Sequence, residues 1–417
     1  MGQRRDIVIT GLGVASPIGI GVEAFWRSLV SGVSGTALVN SLGSSELQPW
    51  IAAEVRDFDP IAYVKPRKSL KVMARDSQLA LAVAHLAREH ASADATTFDP
   101  ERIGTVFGAD TINPTLEDSS QGYVPCVIEG VFHFERWGDY GLPYSFPLNM
   151  LKLLPNMLTC HVSIAHDARG PCNTIYNGDV SALQAISEAA GLIERGMADV
   201  ALAGGASSRM QPLDWLRAQL TMELSQRRDE PQSACRPFDS SRDGQVPGEG
   251  AGCLVLETSR SAEARGARPW ARLLGWASAY DAPSNGGGGL RRAIELALKR
   301  ADVDASQLGH VNAHGLGTVA GDRAEAAELA TAVDGVPVLA PKSYIGNLFA
   351  ASGAVEMIAS VLALAHNTVP PTLHHRQTDP QCPVSVLDEP LIGAKPVALV
   401  VNRSIHGQAT AIVIAAA

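Results

Sequence analysis

Apolar residues along the chain follow two rhythms. One is a short unbroken run closing on glycine: IVIT before GLG at Ile7 to Thr10, IGTVF before Gly108 at Ile103 to Phe107, and VALA before Gly204 and Gly205 at Val200 to Ala203. Such runs lack polar alternation and predict buried parallel strands, covered on both faces. The other rhythm repeats every three to four residues. It predicts helices over 76–91 (DSQLALAVAHLAREHA), 290–301 (LRRAIELALKRA) and 352–366 (SGAVEMIASVLALAH). A further apolar stripe, Leu183, Ile186, Ala190 and Ile193, marks a helix beginning just after Asp179. Strands and helices alternating in this way predict a layered α/β protein.

Length and composition sharpen that picture. With 417 residues, 46% apolar and 18% charged, the chain is long enough for a large core built as two fused α/β halves. The stretch ending in SSRDGQVPGEGAGCLVLE divides it near Glu257, giving halves 1–257 and 258–417. NGGGG at 285–289 reads as a flexible surface loop. A net charge of −9 argues against nucleic acid as a partner. The six cysteines show no CxxC spacing, which disfavours both a zinc site and a disulfide framework and points to a reducing cytoplasm. No signal peptide is read at the N-terminus, where Asp6, glycines and Pro17 interrupt the apolar run. No stretch approaches the ~18 apolar residues of a membrane span.

Several longer motifs point to a family. ITGLGVASPIGIGVEAFWRSLVSGVSG, PERIGTVFG, LPNM, HVSIAHDARGP, MADVALAGGASS, ACRPFDSSRDGQVPGEGAGCLVLE, VNAHGLGT, GDRAEAAEL, PKSYIGN and ASGAVE succeed one another. In kind and order they resemble the landmarks of the β-ketoacyl-ACP synthases of fatty-acid and type II polyketide synthesis. The resemblance implies the thiolase fold, two similar βαβαβαββ halves in a five-layer α-β-α-β-α sandwich. It also implies an acyl carrier protein as partner and a dimer. No cofactor and no metal are expected.

The chemistry of that family needs a thiol, because a thiolate attacks a thioester and stores the acyl chain at similar energy. Its cysteine stands five positions after the threonine of a GPxxT pattern. Here GPCNTIYNGD puts Asp179 in that place. An acylated carboxylate would be a mixed anhydride that water hydrolyses, so ordinary condensation is not expected. Two readings of Asp179 stay open: a helix N-cap suited to the dipole, or a general base tuned by burial beside a histidine. Cys172 is expected in the turn before the strand, as a bland thiol rather than the missing nucleophile.

Of the family's two histidines, VNAHGLGT keeps His314 and PKSYIGN has Asn347. By resemblance these donate hydrogen bonds to the thioester oxygen and to the enolate formed as carbon dioxide leaves; His314 could equally be an inherited core histidine. The glycine-rich gate reads Asn402-Arg403-Ser404-Ile405-His406-Gly407-Gln408, so the hinge is expected to stiffen and His406 replaces a phenylalanine. Asn402 and His406 are thus candidate substrate-binding residues, and Asp179, His314 and His406 are candidates to share one pocket. Lys342 and Glu356 match the family's site-organising ion pair. Thr318 keeps one of two pantetheine-binding hydroxyls, Leu316 replacing the other. Lys65, Arg67, Lys68, Lys71 and Arg75 form a basic cluster placed like a docking patch for an acidic carrier protein, or simply a solvated charge run. Residues 111–146 match little, and the loop at 279–289 lacks the family's histidine-bearing turn.

Three functions fit: a non-condensing subunit like the chain-length factors, heterodimeric with a cysteine-bearing ketosynthase; a homodimeric enzyme of altered acyl-thioester chemistry, such as malonyl-ACP decarboxylation, acyl transfer or hydrolysis; or a non-turnover thioester binder.

Overall fold

The computed structural model describes residues 6–40, 49–93, 97–281 and 288–417. Residues 285–287 of the glycine run therefore lie outside the described residues, as do the first five residues of the N-terminus.

Eleven strands form the main path of the large sheet. In chain order they are β1 (Ile7–Ser16), β2 (Ile103–Gly108), β3 (Cys172–Ile175), β4 (Val200–Ser208) and β5 (Glu249–Thr258), then β6 (Ala271–Tyr280), β7 (His310–Asn312), β8 (Pro337–Leu339), β9 (Ser385–Val386), β10 (Val397–Arg403) and β11 (Gln408–Ala416). Their spatial order is β9-β8-β7-β10-β11-β6-β1-β5-β4-β2-β3. The path contains the same motif twice. From β1 outward, β5 and β4 join antiparallel, then β2 and β3 parallel. From β6 outward, β11 and β10 join antiparallel, then β7 and β8 parallel. The two copies meet where Ile7 to Ile9 of β1 pair antiparallel with Ala271 to Leu273 of β6.

Helices complete the layers. α1 (Val22–Val30) follows β1, and α2 (Arg75–His90) covers the outer face of the first copy, where its Leu79, Val83 and Ala87 share a core with Phe107, Leu202 and Val255. α3 (Ser181–Glu194) and α4 (Ser352–Ala365) lie between the copies, in one core with Leu12, Leu254, Val400 and Ile412. α5 (Gly289–Ala301) and α6 (Val319–Ala332) cover the far face. The result is the five-layer α-β-α-β-α thiolase arrangement. α4 explains its own sequence: a helix between two sheets has no solvent face, and every residue from Ser352 to Ala363 is buried.

The predicted helices form within a residue or so of their expected bounds. Two strand expectations need correcting. Ile7 to Thr10 belongs to a ten-residue strand that is antiparallel to both neighbours, not parallel. Burial on both faces produces the same apolar run in either orientation inside a five-layer stack. Val200 to Ala203 extends to Ser208 and is parallel to β2 but antiparallel to β5. Cys172, expected in a turn, opens β3 and is exposed.

Candidate active site

The first copy of the motif delivers Asp179. The chain leaves β3 and makes a tight turn over Gly178–Val180, with Gly178 at φ 64, a left-handed conformation that suits glycine, before α3 begins. The Asp179 side chain does not cap the helix. That local work falls to Ser181, whose Oγ accepts from Asn177 N at 2.8 Å and donates to Gly178 O at 2.6 Å. The carboxylate, 13% exposed, instead faces the second copy: Oδ2 lies 3.6 Å from His314 Nε2 and 3.5 Å from Asn347 Nδ2.

The second copy holds these two partners rigidly. His314 follows β7, and the backbone N–H groups of His314 and Gly315 donate to the two oxygens of Glu325 on α6 at 2.7 and 2.8 Å. Gly315 has φ 46, and a Cβ there would fall 2.7 Å from that of Ala340, so no larger residue fits this loop. Asn347 is braced on both sides of its amide. Nδ2 donates to Gln245 Oε1 at 3.0 Å, while Oδ1 accepts from Phe349 N at 3.0 Å and Ser352 Oγ at 3.1 Å.

Beneath them lies a fully buried ion pair. Lys342 Nζ is 2.5 Å from Glu356 Oε1, and both side chains are wholly enclosed. Asn402, near the end of β10, donates to Glu356 Oε2 at 2.7 Å. Lys342 Nζ also lies 3.2 Å from His314 Nδ1. An ammonium can only donate, so Nδ1 is the acceptor and the neutral imidazole carries its proton on Nε2, toward Asp179. Burial, then Lys342 and Arg403, holds the His314 pKa well below the usual imidazole range. Burial pushes the Asp179 carboxyl up to about 6, opposed by Lys342 and Arg209 and reinforced by Asp110. At neutral pH the site therefore presents an ionised carboxylate facing a neutral N–H donor and an amide N–H donor. Those donors suit an oxygen that gains negative charge; no thiol is among the groups that meet there.

The other expected residues divide. Thr318 is buried at the start of α6, in the loop that begins at His314. His406 does not join the pocket: it is exposed at the β10–β11 turn beside Ile405, which is 84% exposed. Gly407 there adopts φ 92, and a Cβ on it would strike Asp281 O. The anticipated convergence of Asp179, His314 and His406 is thus corrected. Among the described residues no group of three or more His, Cys, Asp or Glu is arranged to hold a metal ion.

In the basic cluster Lys65, Arg67, Lys68 and Lys71 are exposed. Arg75 turns inward. It binds the buried Glu249 through Nε to Oε2 at 2.8 Å and Nη2 to Oε1 at 2.7 Å, and Nη2 also donates to Val55 O at 2.8 Å. It is a structural arginine and leaves the docking cluster.

Gln245, Glu325, Arg403, Asp110 and Arg209 were not predicted. Gln245 and Glu325 lie inside recognisable motifs, SSRDGQVPGEG and GDRAEAAEL, but only the fold turns them toward His314 and Asn347.

No helix of the described residues is long and apolar enough to cross a membrane. Residues 4–262 match the β-ketoacyl synthase N-terminal domain and 271–376 the C-terminal domain. The chain is 34% identical over 398 residues to the actinorhodin polyketide β-ketoacyl synthase 1 of Streptomyces coelicolor, spanning 91% of this chain and 82% of the relative. It is 34% identical over 382 residues to 3-oxoacyl-[acyl-carrier-protein] synthase 2 of Vibrio harveyi, spanning 89% of each. Among solved structures it superposes on the ishigamide ketosynthase/chain length factor with a TM-score of 0.86 and 27% identity over the full length of both chains.

Proposed function

Because this chain belongs to the β-ketoacyl synthase family, we propose that it serves fatty-acid or polyketide synthesis as a subunit that engages acyl-carrier-protein thioesters without condensing them. The observation that carries this is Asp179: at the helix start reached after β3, facing His314 and Asn347, stands a carboxylate. Transfer of an acyl group to it would break the thioester C–S bond and form an anhydride. Water would then attack the anhydride and release the acid, so the chain would be lost before a carbanion could receive it. A cysteine-bearing ketosynthase is the partner this reading requires. The similarity to a ketosynthase/chain length factor structure supports a heterodimer of that kind. The exposed Lys65, Arg67, Lys68 and Lys71 are the proposed contact for the acidic carrier protein.

A second reading has its own support. The His314, Lys342, Glu356 and Asn402 network is intact and His314 presents Nε2–H beside Asn347. Two N–H donors of this kind would stabilise the enolate left when malonyl-ACP loses carbon dioxide.

One experiment separates the two. The purified chain is incubated with malonyl-ACP and acyl-ACP, with and without a cysteine-bearing homologue, while carbon dioxide and acyl-ACP are followed by mass spectrometry. Silence alone with condensation in the mixture supports the subunit. Turnover alone that His314→Ala abolishes refutes it in favour of the enzyme.

A further inference from the structure

α1, α2 and the end of α4 surround a cleft of about 1030 Å³, the size of a small-molecule site. It lies apart from Asp179. α4 begins at Ser352, whose Oγ donates to Asn347 Oδ1, and ends just before His366, which lines the cleft. Its 14 residues span roughly 20 Å. Leu12, Leu86 and Leu362 line the cleft together with two tryptophans. Each indole is stacked on an imidazole: Trp26 on His366 with ring centroids 4.7 Å apart and planes at 12°, Trp270 on His90 at 4.7 Å and 26°. His90 Nδ1 accepts from Leu12 N at 3.1 Å, and burial holds the His90 pKa below the usual imidazole range against the nearby Glu23. The ring against Trp270 is therefore neutral at pH 7.

Of the aromatic side chains, indole offers a cation the most favourable face. Elsewhere the protein uses that property internally, with the Arg300 guanidinium 3.6 Å from the Trp276 ring. Among the described residues no lysine or arginine lies over Trp26 or Trp270. The charged side chains that line the cleft are Glu23, Glu89 and Arg27, all exposed, so carboxylates outnumber cations there. Glu89 lies 3.3 Å from His85, whereas Glu23, on the first turn of α1, acts on His90. We propose that this cleft binds an organic ammonium, a tertiary or quaternary amine with an apolar body, its charge set against the indoles and Glu23 and its body against the leucines. The site is independent of the thioester chemistry proposed for Asp179.

The test is calorimetric titration of the full chain with benzyltrimethylammonium, followed by its displacement with choline or with 3,3-dimethyl-1-butanol, the uncharged carbon isostere of choline. Benzyltrimethylammonium is expected to bind, and choline to displace it at a concentration at least about threefold lower than the isostere. Trp270→Ala is expected to weaken benzyltrimethylammonium by about fivefold or more and Glu23→Gln by about threefold, while Asp179→Asn leaves its binding unchanged. Equal displacement by choline and its isostere, or none by either, overturns the recognition of charge. Absence of benzyltrimethylammonium binding overturns the site, as does unchanged binding in Glu23→Gln or loss of binding in Asp179→Asn. If Trp270→Ala fails to fold, Glu23→Gln, at an exposed helix position, still decides.

Discussion

Replacing Asp179 with asparagine keeps the shape of the side chain and removes its titration. Burial holds the Asp179 carboxyl at about 6 against an ordinary 3.8, so the folded state binds this proton more tightly than the unfolded state does. The stability associated with the raised value is fully present below about pH 4 and is lost as pH rises through about 6. At about 1.4 kcal/mol per pH unit the loss is at most about 3 kcal/mol, trimmed by the carboxylate's slight contact with solvent. Asp179→Asn escapes it. The variant is expected to match the parent near pH 4 and to exceed it by up to about 3 kcal/mol near pH 8, roughly 3 °C in Tm for a chain of this length. Paired thermal melts across that range provide the measurement, and only the difference between the two proteins matters, because other buried acids titrate equally in both. A flat difference, or one that shrinks as pH rises, would refute the placement of Asp179 in a water-poor pocket.

Three other outcomes follow from the same geometry. Lys342→Met strands the enclosed Glu356 and is expected to cost about 3–5 kcal/mol by urea denaturation, with much of the loss recovered in Lys342→Met/Glu356→Leu. Arg75→Ala, which strands Glu249, is expected to cost roughly 2–4 kcal/mol, whereas Lys68→Ala on the exposed cluster changes stability by less than about 0.5 kcal/mol and instead weakens carrier-protein binding at low salt, by a margin that shrinks as salt is raised. Asp179→Cys supplies a thiol where the carboxylate stood; mass spectrometry after incubation with acetyl-ACP is expected to find a stable acetyl adduct on this variant and none on the parent.

Much of the layered architecture was legible because its signals are local. The stripe Leu183, Ile186, Ala190 and Ile193 is wholly buried, as its spacing predicts. Strand direction was not legible, since β1 is enclosed by layers on both faces whichever way its neighbours run. The pairing of His314 with Asn347 around Asp179 followed from motifs. The outward turn of His406 did not, because a motif fixes the order of residues in a loop but not the direction in which a side chain leaves it. Arg75 looked like the last member of a charge run, yet its partner Glu249 is 174 residues away. Asp110 and Arg209 are 99 residues apart and meet only because β2 and β4 are neighbours in the sheet. Neither lies in a stretch whose chemistry stands out alone.

The enclosed Lys342–Glu356 pair bears on how a protein of this kind ages. In solvent, an abandoned catalytic residue drifts freely. Here neither partner can be lost singly without leaving a charge that water cannot reach, so the fold itself holds the pair in place. Asp179, on the rim of the same pocket and tied to it by longer contacts, is under no such restraint. Position 179 is where a chain of this architecture can change at least cost to folding, and the intact ion pair beneath it records what the fold requires.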